Sequence, residues 1–337
     1  MQEQSRPAMQ ENRLSKSACA VLLLFMAVAL FVYKLFFFYS EITLPIWTDI
    51  LMETALILIP SLMLCLLCGG SVPHVRMGFK RTALVIGMGV TGYVFSLLLN
   101  VIWTLVWMAI FSGTVTEELS AQAMEQYAVF VQTPLWLMLL VIAVTPAICE
   151  EFFFRGMLMK SLSGSPAAAI CISGILFAMM HMSVTKFYAT FALGIFFGWI
   201  VMRTGSMTGG VILHFMNNAF AALTLRGMGT LYGMLEHVAP TEEAIYDFLM
   251  ARPELSAQIT MAVFGAVLLF VLSIPLFFLF LTLFIRDTKA DAAKMHLAAL
   301  RETEENQKRD VAGNVLLSIT TVVLAGLMIY SSVIFGG

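Results

Sequence analysis

Glu150, Glu151, Arg155, His181, His214, Asn217 and Asn218 are the side chains whose types and spacing could do chemistry in this otherwise apolar chain. Glu151 and Arg155 are i, i+4, share a helix face and can pair with each other. Glu150 projects about 100° away on the same helix and is left over. His214 and Asn218 are also i, i+4 and project from one face. A carboxylate kept from bulk water can accept a proton from a water molecule, and a histidine can share that task or protonate a leaving amine. A His/Asn pair on one face offers two donors to the oxyanion of a tetrahedral intermediate. The chemistry these residues allow is hydrolysis.

Other catalytic plans find less support. There is no G-x-S-x-G, and Ile172-Ser173-Gly174 lacks the glycine that a related serine motif would need. No H-E-x-x-H zinc helix occurs. Asp49 lies near the outer start of the second apolar run, with no second aspartate to form a pair. Cys149 adjoins Glu150, yet an apolar helix keeps its thiol protonated.

The elements that must hold these groups are membrane helices. Of 337 residues, 60% are hydrophobic and 12% charged, whereas soluble domains are about 45–50% apolar and about 25% charged. The composition predicts an all-α, polytopic membrane bundle that interacts with the lipid bilayer. A net charge of −2 argues against nucleic-acid binding. The five cysteines sit in apolar context, and Cys65-Leu-Leu-Cys68 ends a span with no second pair, so they read as packing thiols. The first apolar run is too long for a signal-peptide core and lacks an A-x-A cleavage site. An ionised group at a bilayer centre costs about 2.5–3.5 kcal/mol on insertion scales, while a Leu or Phe returns only about 0.3–0.6. Glu150, Glu151 and Arg155 in one span must therefore meet partners or a water-filled cavity.

Hydropathy predicts about nine spans, at residues 18–38, 47–68, 83–111, 134–159, 167–182, 187–202, 207–225, 257–285 and 311–335. Basic residues gather at 69–82, at Lys160, at Arg203 and in 286–310, which places the N-terminus in the cytoplasm and the C-terminus outside. Lys186 is the exception to that alternation. The expected organisation is a disordered cytoplasmic start (1–17), an N-terminal helical part (18–133) and a core (134–225). An acidic external loop (226–256) and a C-terminal pair of helices (257–337) with a charged linker (286–310) complete it. An interfacial helix is expected within 112–133. Short loops suggest a bacterial plasma membrane.

Glu150-Glu151-x-x-x-Arg155, Phe177-x-x-x-His181 and His214-x-x-x-Asn218, the last preceded by Arg203-Thr204-Gly205-Ser206, lie in order on successive apolar runs. This arrangement resembles the three-motif signature of the CAAX protease and bacteriocin-processing family, also called the abortive-infection family, which includes the type II CAAX endopeptidases. The similarity covers roughly residues 134–222. It implies an intramembrane endopeptidase acting on a peptide or protein at the membrane, with lipidated CAAX-like or leader-type peptides as substrates. By motif position, Glu150 and His181 would activate the attacking water, and His214 and Asn218 would stabilise the oxyanion. Glu151, Arg155 and Phe177 would support the site. Glu150, His181 and His214 could supply three zinc ligands in type, but Glu150 could not then serve freely as base; a glutamate-activated water without a firmly bound metal is the favoured reading. Two alternatives use the same residues: a non-catalytic immunity or scaffold protein of this fold, and a proton-coupled transporter. The absence of an internal repeat weighs against the transporter. At 1.5 Å per residue, Glu150 and His214 lie about 12–15 Å from the cytoplasmic turns and His181 about 24 Å, so tilt or a short fifth helix must bring them level.

Overall fold

In lipid, every backbone N–H and C=O must be satisfied within its own segment, and the apolar runs accordingly fold as helices. The computed structural model describes residues 15–40, 44–68, 70, 72–110, 129, 131–162, 165–238, 246–248, 250–294 and 311–334. The long helices, in chain order, are α1 (Lys16–Ser40), α2 (Thr48–Leu67), α3 (Phe79–Ile110), α4 (Leu135–Ser161), α5 (Pro166–Met180), α6 (Phe187–Thr204), α7 (Met207–Val238), α8 (Pro253–Asp287) and α9 (Val311–Ile334). Among the described residues there is no strand, only an isolated antiparallel bridge between His74 and Ser206.

Seven of these helices (α1, α2, α3, α4, α6, α8 and α9) are long and apolar enough to cross a membrane. The protein is thus a multi-pass integral membrane protein. α5 has 15 residues, about 22 Å of helix, short of the roughly 30 Å hydrocarbon core. α7 is long but carries His214, Asn217, Asn218 and Arg226, and stands outside the seven.

Helix ends fall within a few residues of the hydropathy reading, with one larger difference. α7 continues past Leu225 to Val238, so its last turns occupy the start of the stretch expected to be an external loop. No proline interrupts it before Pro240. The expected disordered start falls almost wholly, and the interfacial helix and charged linker largely, outside the described residues.

Two helices are irregular for a readable reason. Proline lacks an N–H, and its ring crowds the carbonyl four residues earlier. In α2 a wide π-type turn at Thr54–Leu58 precedes Pro60, and in α4 another at Leu140–Val144 precedes Pro146. A third wide turn follows in α4 at Phe152–Leu158. Such turns concentrate at functional sites in proteins generally.

α4 is the central rod. In its most apolar stretch 56% of residues are buried, against 6% for α8, which lies at the periphery. α5 and α6 cross at Gly174 and Gly194, where a Cβ on Gly194 would come within 3.0 Å of the Gly174 Cα. α1 and α9 lie side by side, with Lys16 Nζ donating to Asn314 Oδ1 at 2.8 Å. The charged ends of α3, α6 and α8 meet: Lys80 and Arg81 bind Asp287, and Arg203 donates to Ile285 O and Thr288 Oγ1. Gly205, at φ 65°, ends α6 in the left-handed conformation that glycine adopts without penalty.

Candidate active site

The i, i+4 pair forms deep inside the bundle. Arg155 Nη1 donates to Glu151 Oε1 at 2.8 Å, and both side chains are completely buried. Arg155 Nη2 donates to Gly194 O at 3.1 Å. Its guanidinium carbon lies 4.3 Å from the centre of the Phe177 ring, a cation–π contact worth about 2 kcal/mol when desolvated. The missing side chain of Gly210 makes room for this carboxylate, since a Cβ there would sit 2.6 Å from Glu151 Oε2.

Glu151 also holds a second partner. His214 Nδ1 lies 3.1 Å from Glu151 Oε1. A carboxylate paired with arginine only accepts, so Nδ1 carries the proton and donates. His214 Nε2 is thereby turned toward Glu150, 3.8 Å from Oε2. That separation is too long for a direct hydrogen bond. Glu150 Oε2 is buried and has no hydrogen-bond partner. The side chain that the helix-face argument leaves over thus keeps a buried oxygen unsatisfied.

His181 follows the last turn of α5. Its Nδ1 lies 2.9 Å from Phe177 O, so Nδ1 donates and Nε2 is left open. Phe177 joins the two histidines: its ring centre is 4.9 Å from that of His181 and 5.6 Å from that of His214, both edge-on. Phe197 stacks on the other side of His214 at 5.4 Å. His181 and His214 thus reach the same ring, although His181 lies a whole helix length along α5 from its start at Pro166. Met182, at φ 52°, turns the chain directly after it. The α5–α6 turn is then tied to α3 through Trp103 Nε1 donating to Val184 O, and to α9 through Val184 N donating to Ser332 Oγ.

Asn218 Nδ2 donates to Ile142 O at 3.1 Å. That carbonyl lies four residues before Pro146, so it lacks its usual intrahelical donor and receives the asparagine instead. Asn218 Oδ1 accepts from Asn217 Nδ2 at 3.3 Å. One N–H of Asn218 and Nε2 of His214 remain for other partners. The structure thus brings Glu150, Glu151, Arg155, Phe177, His181 and His214 into one continuous set of contacts, with Asn218 one turn further along α7.

One buried carboxylate was not foreseen. Glu53, on α2 just before its wide turn, packs with that helix against the Thr145–Glu151 segment of α4 and lies within electrostatic reach of Glu150. Its Oε2 is buried and has no hydrogen-bond partner. The signal was present in the sequence: an acidic residue one turn past Asp49, inside the apolar run 47–68.

An apolar cavity of about 120 Å³ opens beside the site between α3, α6, α7 and α8, lined by Gly89, Gly92, Ala192, Phe197, Leu213 and Asn217 among others. Leu213 precedes His214 and Phe197 stacks on it, so the cavity shares a wall with the polar cluster.

The metal fit is poor. Among the described residues no three His, Cys, Asp or Glu side chains come together as a metal-binding group. His214 Nε2 and Glu150 make a pair and not a triad.

Residues 132–220 match the family model of type II CAAX prenyl endopeptidase Rce1-like proteins. The matched stretch is similar to a family of proteases, and it coincides with the stretch that carries the three motifs. No curated protein and no solved structure matched the chain.

Proposed function

We propose that this protein is an intramembrane endopeptidase that hydrolyses a peptide bond of a membrane-associated peptide, lipidated or leader-type, using water activated by Glu150. The observation that carries the reading is the buried, unpartnered Oε2 of Glu150, facing a histidine nitrogen whose tautomer Glu151 sets. A water beside Glu150 gives a proton to the carboxylate as its oxygen attacks the substrate carbonyl, and His181 Nε2 accepts the water's second hydrogen bond. The oxyanion is met by the free N–H of Asn218 and by His214 in its protonated form. Glu150 then returns its proton to the leaving amine as the C–N bond breaks. The cavity beside His214 receives an apolar side chain of the substrate.

In this reading all nine long helices lie in a bacterial plasma membrane with the N-terminus in the cytoplasm. The gathered basic ends of α3, α6 and α8 support that orientation. α5 and α7 then traverse the protein interior more than the lipid.

The test is cleavage of a panel of lipidated and unlipidated fluorogenic peptides by the purified, reconstituted protein, with and without a chelator. Wild type should cleave at least one class and be indifferent to the chelator. Glu150→Ala and His181→Ala should lose about 10²–10⁴-fold in kcat at unchanged expression. Full activity in Glu150→Ala, or its loss with the chelator, would overturn the mechanism.

A further inference from the structure

Outside the Rce1-like stretch, the side chain that most needs explaining is Glu53. It comes from α2, yet α2 packs its wide turn against the very segment of α4 that ends in Glu150 and Glu151. Glu53 Oε2 and Glu150 Oε2 are both buried, and neither has a hydrogen-bond partner in the protein. Two carboxylates so placed repel each other if both are ionised, and the low dielectric magnifies that repulsion. Arg155 tempers it only through space, because its hydrogen bonds go to Glu151 and Gly194, and His214 Nε2 faces Glu150 at 3.8 Å without bonding it. The remaining acid near Glu53 is Asp49, one turn back on α2 and exposed. Cys149, beside Glu150, is buried and brings no positive charge.

We infer that Glu53 is a positioning residue for Glu150: the two carboxyl groups hold one proton between them, and the hydrogen bond it makes fixes the Glu150 carboxylate toward the attacking water. The idea rests on the peptidase reading for its consequence, though not for its physics. It also explains why a carboxylic acid lies in an apolar helix with nothing else to bind. A glutamine at position 53 keeps a donor for Glu150, whereas methionine keeps only the volume.

Two measurements on the full-length protein in nanodiscs test it. In infrared difference spectra with ¹³C-labelled glutamate at neutral pH, wild type should show a protonated carboxyl band that Glu53→Gln removes and Glu150→Gln displaces, while Asp49→Asn leaves it in place. No such band, a band indifferent to Glu150→Gln, or one that moves with Asp49→Asn would overturn the shared proton whether or not any peptide is cleaved. In the cleavage assay, Glu53→Met should lose about 10–100-fold in kcat with KM unchanged. Glu53→Gln should recover most of that loss. Equal activity of the methionine variant and wild type would overturn the positioning role and leave the peptidase reading standing. Absence of cleavage by wild type would sink the peptidase reading alone, the infrared result still deciding the proton.

Discussion

Residue by residue, the site is built from side chains that commit some polar atoms to fixed partners and leave others free. Glu151 takes both Arg155 and His214 on the same oxygen, so it supports the histidine as well as the arginine, more than pairing along one helix indicates. His181 and His214 each commit Nδ1, to a carbonyl and a carboxylate, and leave Nε2 open. The Glu151–Arg155 pair is completely buried, and breaking a buried pair by removing one partner costs about 3–5 kcal/mol because the other charge is stranded. Arg155→Met should therefore lower the thermal unfolding temperature in detergent sharply. The double variant Glu151→Met with Arg155→Met should recover most of that stability, yet remain inactive because His214 Nδ1 loses its acceptor. A mild effect of Arg155→Met would mean that Glu151 is not held as a charge.

Helix irregularity supplies the acceptors that regular helices lack. Pro146 frees Ile142 O, and Asn218 binds it, so one backbone defect on α4 fixes a polar side chain on α7. Pro60 stands in the same relation to the wide turn after Glu53. Restoring an N–H with Pro146→Ala should let Ile142 O bond within α4 and release Asn218. The helix should then be as stable as before or more so, while kcat falls about tenfold to a hundredfold, since misplacement by an ångström can cost about that much. Thermal unfolding and cleavage measured on the same preparation separate the two effects; a parallel loss of stability and activity would point to simple misfolding.

Across the whole molecule, a central α4 is wrapped by helices that bring their polar groups inward, and the basic helix ends collect on one side. In a variant whose five native cysteines are replaced, Lys80→Cys should react with an impermeant thiol reagent only from the cytoplasmic side of intact cells. Leu44→Cys should react only from outside; the reverse pattern would invert the proposed orientation. Much of this was legible in the chain. Apolar runs set the helices because lipid offers the backbone no other partner, and the i, i+4 spacings put Glu151 with Arg155 and left Glu150 over. Spacing along one helix says nothing, however, about what faces it from another. Whether His181 would come near His214 depended on tertiary packing that sets Phe177 between them. That Asn218 would spend a donor on Ile142, and that Glu53 would come to lie beside Glu150, depended on how α2, α4 and α7 pack. Local pattern determined the rods and the residues that lipid would reject; the close crossings between rods, permitted by Gly174, Gly194 and Gly210, decided which of those residues found one another.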